Sequence, residues 1–183
     1  MRVDVTRLEH GQSAIEQDLA AVDLGLPDAE SASHDSALGA AFHSPIKTIC
    51  VITRGGDDLL IDATIRARAL MECARCLESF SAPVDADFRV YARRAGVGQA
   101  IHPVEEELDE GGVVYYGGRY IDLREAVREA ILLAVPMRPL CREDCAGLCI
   151  GCGVNLNSDV CRCGRSATRA ASPHVQHSPG RLN

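Results

Sequence analysis

Cys141-Arg-Glu-Asp-Cys145-Ala-Gly-Leu-Cys149-Ile-Gly-Cys152 is the stretch of sequence that decides the fold, and Cys161-Arg-Cys163 follows it after eight residues. An earlier pair, Cys73-Ala-Arg-Cys76, raises the number of closely spaced cysteines to eight. Tetrahedral zinc sites are built from such pairs, because each pair supplies two thiolates from one short turn. The sequence therefore predicts a chain whose C-terminal part is folded around zinc, with two ions expected.

The role of the cysteines depends on the cellular compartment in which the protein is found. The first residues of the chain lack the apolar stretch of an export signal, and the longest apolar run, residues 130–135, is too short to span a bilayer. We therefore expect a cytoplasmic protein that does not bind membranes. In that reducing environment, clustered cysteines bind metal rather than form disulfides. The ninth cysteine, Cys50, lies in a β-branched segment and is expected to be an ordinary buried residue.

The charge of the chain argues against tight, autonomous binding to nucleic acids. Its formal net charge is −7 over 183 residues, and two four-thiolate zinc sites, each of charge −2, would make it −11. Proteins that bind nucleic acids tightly usually carry a basic surface. The sequence also lacks a glycine-rich phosphate loop, a nucleophile elbow and a paired-carboxylate pattern. We therefore expect neither an enzyme nor a small-molecule substrate.

Alternating apolar and polar residues predict a strand-rich core. Segments with this pattern, or with many β-branched residues, are residues 1–8, 45–53, 59–68, 84–91 and 113–116. The Cys73–Cys76 pair falls between two of them and is expected at the tip of a β-hairpin. Residues 19–40 are acidic and interrupted by glycine and proline, which predicts a mobile surface excursion. The acidic run at residues 105–110 is expected to be a solvated loop.

A single helix is predicted after the strands. Asp122 is a favourable N-cap with Glu125 three residues later, and apolar side chains recur at 3.6-residue spacing from Leu123. Pro136 ends the helix. The predicted fold class is therefore α+β, with a mainly antiparallel strand-rich core, one amphipathic helix and a C-terminal zinc-knuckle segment.

The order of these segments resembles the YceD family. The resemblance rests on three stretches of sequence and covers roughly residues 3–163. They are Cys73-Ala-Arg-Cys76-Leu-Glu78, Ile121-Asp-Leu-Arg-Glu125 with the helix end Leu133-Ala-Val-Pro136, and Pro139-Leu-Cys141 continuing to Asn157. The family implies a role in ribosome biogenesis, namely accumulation of large-subunit ribosomal RNA, and no known enzymatic reaction. It thereby implies a partner, either precursor large-subunit rRNA or a basic ribosomal protein.

The resemblance and the composition together define the expected domains. We expect one YceD-like domain over residues 1–163, which includes the zinc-binding segment 141–163. After Cys163 the composition turns to Ser, Ala, Pro, His and Gly, so residues 164–183 are expected to be a disordered tail.

Eight cysteine ligands divide naturally between two zinc ions. Local spacing predicts one site formed by Cys149, Cys152, Cys161 and Cys163. The remaining set, which would tie the hairpin tip to the end of the helix, is Cys73, Cys76, Cys141 and Cys145. An alternative single site would be formed by Cys141, Cys145, Cys149 and Cys152. Gly151 and Gly153 flank Cys152, and such a turn points backbone N–H groups at the thiolates. Asn155 and Asn157 are expected to shape this turn rather than to bind metal.

Two other functions remain open at this point. The spacing of Cys145, Cys149 and Cys152 matches the one that radical enzymes use for a [4Fe–4S] cluster, which suggests an iron–sulfur redox protein. Only 31 residues follow Cys152, however, and further cysteines would occupy the iron that must stay open. The other alternative is a zinc-bearing protein-interaction adaptor without a role in RNA metabolism.

Any direct contact with RNA is expected to be local. Each phosphate contact needs a nearby Lys or Arg, and the acidic chain offers few clusters of them. The candidate contacts, which lie near the two ends of the predicted hairpin, are Arg66, Arg68, Arg75, Arg93 and Arg94. The alternation predicts that Arg66 and Arg68 share one face of the sheet. The same two residues would equally suit an ordinary solvated face, so both interpretations stay open here.

Overall fold

The computed structural model describes residues 1–30, 39–95 and 113–163, and a five-stranded sheet dominates them. In chain order the elements are β1 (Arg2–Asp4), β2 (Gly11–Leu19), β3 (Ala40–Gly55), β4 (Asp58–Glu72), β5 (Ser79–Arg94), β6 (Val113–Tyr116), β7 (Tyr120–Asp122) and α1 (Arg124–Ala134). The large sheet has the order β2-β3-β4-β5-β6, and β1 pairs with β7 in a small second sheet. All pairings are antiparallel except that of β5 with β6. The predicted α+β class is confirmed.

Strict alternation in β4 builds the centre of the large sheet. Its buried apolar residues are Leu59, Ile61, Ala63, Ile65, Ala67, Ala69 and Met71. The residues between them are exposed or half-buried, so β4 has one core face and one outer face. Every residue of β4 pairs with β5, up to Glu72 opposite Ser79. The Cys73–Cys76 pair therefore lies at the tip of a long hairpin, as predicted.

Helix α1 covers the core face of the sheet. Its residues Val127 and Ile131 are completely buried, and the helix packs against β5, β4 and a 3-10 helix at Ala21–Leu24. The helix begins one residue later than predicted, at Arg124, but the Asp122 Oδ1 still accepts the Arg124 N–H at 3.1 Å. None of the helices in the three described ranges combines the length and apolar composition needed to cross a membrane.

The N-terminal part departs from the sequence prediction. The predicted strand over residues 1–8 is only three residues long and passes into a 3-10 helix at Val5–Arg7. The sequence pattern does not predict strand β2, because this strand lies at the edge of the sheet and few of its residues are apolar. The predicted surface excursion is wrong over residues 19–30, where Leu24 and Leu26 are buried in the core. The 3-10 helix that contains Leu24 packs against α1 and turns this leucine inward.

Some predictions fall outside the described ranges. They concern residues 31–38 of the acidic segment, the acidic loop at residues 105–110 and the tail at residues 164–183.

After α1 the chain folds back onto the hairpin tip through a series of turns. The Ala74 N–H donates to the Pro139 carbonyl at 2.8 Å, and the Leu148 N–H donates to the Arg75 carbonyl at 3.0 Å. These backbone hydrogen bonds bring the C-terminal cysteines to the Cys73–Cys76 turn.

Candidate metal centres

Two groups of four cysteines form in the described residues. The first, called here the hairpin cluster, comprises Cys73, Cys76, Cys141 and Cys145. The second, called the knuckle cluster, comprises Cys149, Cys152, Cys161 and Cys163. Within each group all four Sγ atoms lie within 4.8 Å of one another. The structure thus brings the eight cysteines together in these two sets, and not in the alternative set that mixes the two clusters. Either group could hold a metal ion.

The sulfur spacing in the hairpin cluster fits one tetrahedral ion. With Zn–S bonds of about 2.3 Å, the sulfurs of such a site lie about 3.8 Å apart. The Cys73 and Cys145 Sγ atoms are 3.7 Å apart, and so are those of Cys76 and Cys141. The donor set and its spacing therefore match a closed structural zinc site, in which no coordination position is left for a substrate.

The hairpin turn holds its two cysteines by backbone hydrogen bonds. The Cys73 N–H donates to the Glu78 carbonyl, and the Leu77 N–H donates to the Cys73 carbonyl, each at 2.9 Å. Leu77 adopts a left-handed conformation with φ of 60°, which is uncommon for a residue with a branched side chain. This tight turn places both Sγ atoms on the side that faces the C-terminal segment.

Arg75 fixes the C-terminal segment against the hairpin. Its Nη1 donates to the Cys145 carbonyl at 2.9 Å and to the Glu143 carbonyl at 3.3 Å. Gly147 lies directly against the Arg75 backbone, so that a Cβ at this position would come within 3.0 Å of the Arg75 carbonyl oxygen. The sequence suggested Arg75 as an RNA contact, whereas in the structure this side chain braces the hairpin cluster.

Asn157 connects the surroundings of the two clusters. Its Nδ2 donates to the Cys145 Sγ at 3.3 Å, while its Oδ1 accepts from the Ala146 N–H at 2.8 Å and from Arg142. Asn155 reaches back to the hairpin and donates to the Glu78 Oε1 at 2.8 Å. The two asparagines thus shape the turn as expected. The sequence pattern does not reveal the donation from Asn157 to a thiolate, because its partner lies 12 positions earlier in the chain.

The thiols of the hairpin cluster lie so close together that ionisation of one affects the others. As a result, their pKa values differ widely. Backbone N–H groups, foremost that of Cys141, lower the pKa of Cys73 to about 6. Burial, aided by the side chain of Cys145, raises the pKa of Cys141 to about 12. Burial also acts to raise the pKa of Cys145, but hydrogen bonds from the Asn157 amide, the Gly147 N–H and two neighbouring thiols together outweigh it, so the pKa is lowered. A divalent cation bound by all four sulfurs would allow every thiol of the cluster to ionise, because such a cation deprotonates its thiol ligands.

The knuckle cluster is assembled within a short stretch of chain. The Gly153 N–H donates to the Cys149 carbonyl at 2.8 Å, and the Gly151 N–H points at the Cys149 Sγ at 3.4 Å. This is the expected knuckle turn, in which backbone amides face a thiolate. The amide of Gly151 lowers the pKa of Cys149 to about 6. The four-residue step from Cys145 to Cys149 places this cluster directly after the hairpin cluster.

The knuckle cluster is more compact and more exposed than the hairpin cluster. The Sγ atoms of Cys161 and Cys163 are 2.9 Å apart, and those of Cys149 and Cys161 are 3.2 Å apart. The side chain of Cys163 raises the pKa of Cys161 to about 12. Cys152 and Cys163 are exposed to solvent, whereas in the hairpin cluster Cys73, Cys76 and Cys145 are buried.

The remaining arginines of the sequence prediction lie on the hairpin. Arg66 and Arg68 are exposed on the outer face of β4, as the alternation predicted. Arg93 forms an ion pair with Asp58, with the Nε and Oδ1 atoms 2.7 Å apart. Arg94 is exposed at the far end of β5. The structure therefore places the five arginines at separate points of the hairpin and does not join them into one site.

Comparison with known proteins shows to which family the chain belongs. The family model for the large ribosomal RNA subunit accumulation protein YceD matches residues 61–173, more than half of the chain. This chain belongs to the YceD family. The match begins in β4 and includes both cysteine clusters, so the resemblance seen in the sequence is confirmed.

Relatives of this YceD-family chain occur in mycobacteria and plants. An uncharacterized protein of Mycobacterium tuberculosis is 36% identical over 105 residues, which are 56% of this chain and 47% of the relative. One from Mycobacterium leprae is 30% identical over 113 residues, 62% of this chain and 50% of the relative. The chain thus spans about half the length of these relatives.

A plant relative covers more of the chain. The chloroplastic large ribosomal RNA subunit accumulation protein YCED homolog 1 of Zea mays is 26% identical over 189 residues, 82% of this chain and 62% of the relative. No solved structure gives a significant match.

Proposed function

We propose that this chain is a non-catalytic factor that promotes the accumulation of large-subunit ribosomal RNA, and that zinc at both cysteine clusters stabilises its fold. The observation that carries the proposal is the family match over residues 61–173, which includes every cysteine of the two clusters. The names of the Zea mays and Arabidopsis thaliana relatives refer to the same role. We further propose that residues 1–163 fold as one domain, because the hairpin cluster ties the sheet to the C-terminal segment.

Zinc is favoured over an iron–sulfur cluster by the spacing of the sulfurs. In the hairpin cluster the paired Sγ atoms are 3.7 Å apart, which suits one ion at the centre of four thiolates. An iron–sulfur cluster would have to fit several atoms between the same sulfurs and would hold them further apart. Each cluster also has four cysteines, which leaves no open metal position for catalysis.

The protein is proposed to act by binding to an early ribosomal particle in the cytoplasm. Its net charge of −7 gives little electrostatic drive toward naked RNA. The acidic chain would instead dock mainly on a basic ribosomal protein, with a local contact to the rRNA precursor. The rRNA would then accumulate because the bound particle is protected from degradation.

Depletion of the protein in its own cells tests this role. We expect the ratio of large-subunit to small-subunit rRNA to fall, and to return when the wild-type chain is supplied. The protein should also sediment with precursor particles of the large subunit. An unchanged rRNA ratio on depletion would contradict the proposal.

A protein-interaction adaptor is the alternative that one observation favours. Ile150 is completely exposed beside Cys149, and Val160 is 85% exposed beside Cys161, so two apolar side chains flank the knuckle cluster. Exposed apolar side chains mark a surface that binds another protein where they form a contiguous patch. Binding to proteins outside the ribosome, together with no sedimentation with precursor particles, would support this alternative.

A further inference from the structure

A basic groove lies on the outer face of the sheet, away from both cysteine clusters. It forms where the register between β3 and β4 shifts, between His43 and Lys47. The lining residues that matter for its chemistry are His43, Pro45, Lys47, Arg66, Arg68 and Asp85. Its volume of about 400 Å³ lies within the range of sites that hold small ligands, about 300–1,000 Å³.

The register of the strands places like charges opposite each other in this groove. Lys47 on β3 pairs directly with Arg66 on β4, next to the irregularity between His43 and Lys47. Like charges directly opposite each other destabilise a pair of strands. On the other side of each cation the opposite position holds a carboxylate, Asp18 for Lys47 and Asp85 for Arg66. An anion between Lys47 and Arg66 would turn their repulsion into two attractive contacts.

The cations of the groove are not neutralised by nearby carboxylates. Asp18 stands opposite Lys47 and Asp85 stands opposite Arg66, yet neither comes within 4 Å of its basic neighbour. Among residues 1–30, 39–95 and 113–163, no ion pair involves Lys47, Arg66 or Arg68. The Arg68 Nη2 donates to the Ser81 carbonyl at 3.4 Å, but this contact leaves its positive charge without a neutralising carboxylate. The charges of all three residues can therefore attract an anionic ligand.

The same hairpin carries arginines that are neutralised. Arg89 pairs with Asp62, and Arg93 pairs with Asp58 through two hydrogen bonds. These two arginines lie on the same outer face, because odd-numbered residues of β5 are the exposed ones. The basic residues of the hairpin are therefore of two kinds. Some are neutralised by a carboxylate of the sheet, and those of the groove are not.

We propose that this groove binds phosphate groups of RNA, with Lys47, Arg66 and Arg68 as the contacting side chains. Guanidinium groups bind phosphate through two parallel hydrogen bonds, and the ammonium group of lysine adds a point charge. The choice of RNA as the source of phosphate rests on the proposed function, whereas the choice of anion rests on the charges of the groove. The site extends the role of the chain to a defined rRNA contact and adds Lys47, the only lysine in the sequence.

Two double variants distinguish binding of RNA by the groove from a general effect of the net charge of the protein. R66Q/R68Q removes two unpaired cations from the groove, and R89Q/R93Q removes two paired cations from the same face. Both change the formal net charge from −7 to −9. Binding of a fluorescent single-stranded RNA oligonucleotide to the zinc-loaded full chain would be measured by anisotropy at several salt concentrations.

We expect R66Q/R68Q to weaken RNA binding about tenfold at low salt. The slope of log affinity against log salt should fall by about 1.4, or about 0.7 for each phosphate that the variant no longer neutralises. R89Q/R93Q should change the affinity less than about twofold, because its cations already have partners. D85N should act in the opposite direction and tighten binding, since it removes the carboxylate that lines the groove. This third variant keeps the test decisive if R66Q/R68Q folds poorly.

Several outcomes would overturn the inference. They are equal decreases in affinity for the two double variants, weaker binding by D85N, or no binding of RNA to the wild-type chain at low salt. Inorganic phosphate and polyglutamate serve as competitors. Displacement of RNA by phosphate supports a phosphate site, whereas equally tight polyglutamate binding with the same decrease in R66Q/R68Q would contradict the assignment to RNA.

The failure of this inference can be distinguished from failure of the proposed function. Unchanged rRNA levels on depletion would sink the proposed function and leave the measured binding of phosphate to the groove intact. A fall in rRNA that R66Q/R68Q restores fully would uphold the proposed function and contradict a role of the groove in it.

Discussion

The hairpin cluster and the knuckle cluster offer the same four thiolates in very different surroundings. The hairpin cluster joins Cys76 to Cys141 across 65 positions, and three of its four cysteines are buried. The knuckle cluster lies within residues 149–163 and exposes Cys152 and Cys163. Binding free energy at a structural zinc site is folding free energy, but only for the part of the chain that the site organises. The first cluster should therefore stabilise the whole domain, and the second only the C-terminal turn.

The largest difference between the clusters is expected on removal of one ligand from each. C76S should lower the melting temperature of the entire chain by about 10 °C or more, since about 2–4 °C corresponds to each kcal/mol in a protein of this size. C163S should leave the main transition almost unchanged, because the turn it releases packs little against the core. Differential scanning calorimetry with zinc-loaded protein would measure both transitions.

C50A provides the control for removal of a thiol as such. Cys50 is buried in the sheet outside both clusters, where burial raises its pKa to about 11. This variant should keep both zinc ions. Equal effects of C76S and C163S on the main transition would show that the clusters do not differ as described.

Asn157 should tune the hairpin cluster more than the knuckle cluster. N157D keeps an oxygen that can accept from the Ala146 N–H, but it removes the N–H that donates to the Cys145 Sγ and places a negative charge beside the thiolate. Removal of such a supporting hydrogen bond typically weakens metal affinity about 10- to 100-fold. Competition with a chromogenic chelator should therefore show that one of two zinc ions is released more easily in N157D. N157A, which also lacks the donating N–H but adds no negative charge, should likewise release this zinc ion more easily than the wild-type chain. Wild-type zinc retention in both variants would count against this role.

A smaller difference is expected between the stabilities of two variants in which a glycine is replaced by alanine. Gly147 and Gly153 both have φ of 74°, but a Cβ at Gly147 would meet the Arg75 carbonyl at 3.0 Å, whereas at Gly153 nothing lies within 4 Å. G153A should cost about 1–2 kcal/mol in its own turn through the left-handed conformation alone. G147A should cost about 1 kcal/mol more, because the hairpin and the C-terminal segment must move apart. Chemical denaturation of the two variants measures this difference, and a smaller cost for G147A would contradict the close packing.

The sequence predicted what depends on neighbours in the chain. The alternation in β4 and β5, the hairpin position of Cys73 and Cys76, and the periodicity of α1 are local patterns, and the structure contains all three. The knuckle cluster also followed from short spacings, because thiols within about 15 positions meet at a lower entropic cost than distant ones. The hairpin cluster followed only as the set of cysteines that remained.

What the sequence could not predict depends on distant contacts. The acidic residues around Leu24 and Leu26 indicate a surface excursion, whereas both leucines are buried in the core and the 3-10 helix that contains Leu24 packs against α1. The bracing role of Arg75 depends on where the chain returns after α1. The pairing of Lys47 with Arg66 depends on a register that shifts between β3 and β4. No spacing in the sequence reports any of these three arrangements.

Metal content is the measurement that tests the central claim most directly. Native protein, purified without added metal or chelator, should contain two zinc ions per chain by elemental analysis and no stoichiometric iron. C76S and C163S should each retain one zinc ion, because each variant lacks a ligand of a different cluster. One zinc ion or none in the wild-type chain would contradict two metal centres. Stoichiometric iron with absorption of visible light would contradict zinc as their occupant.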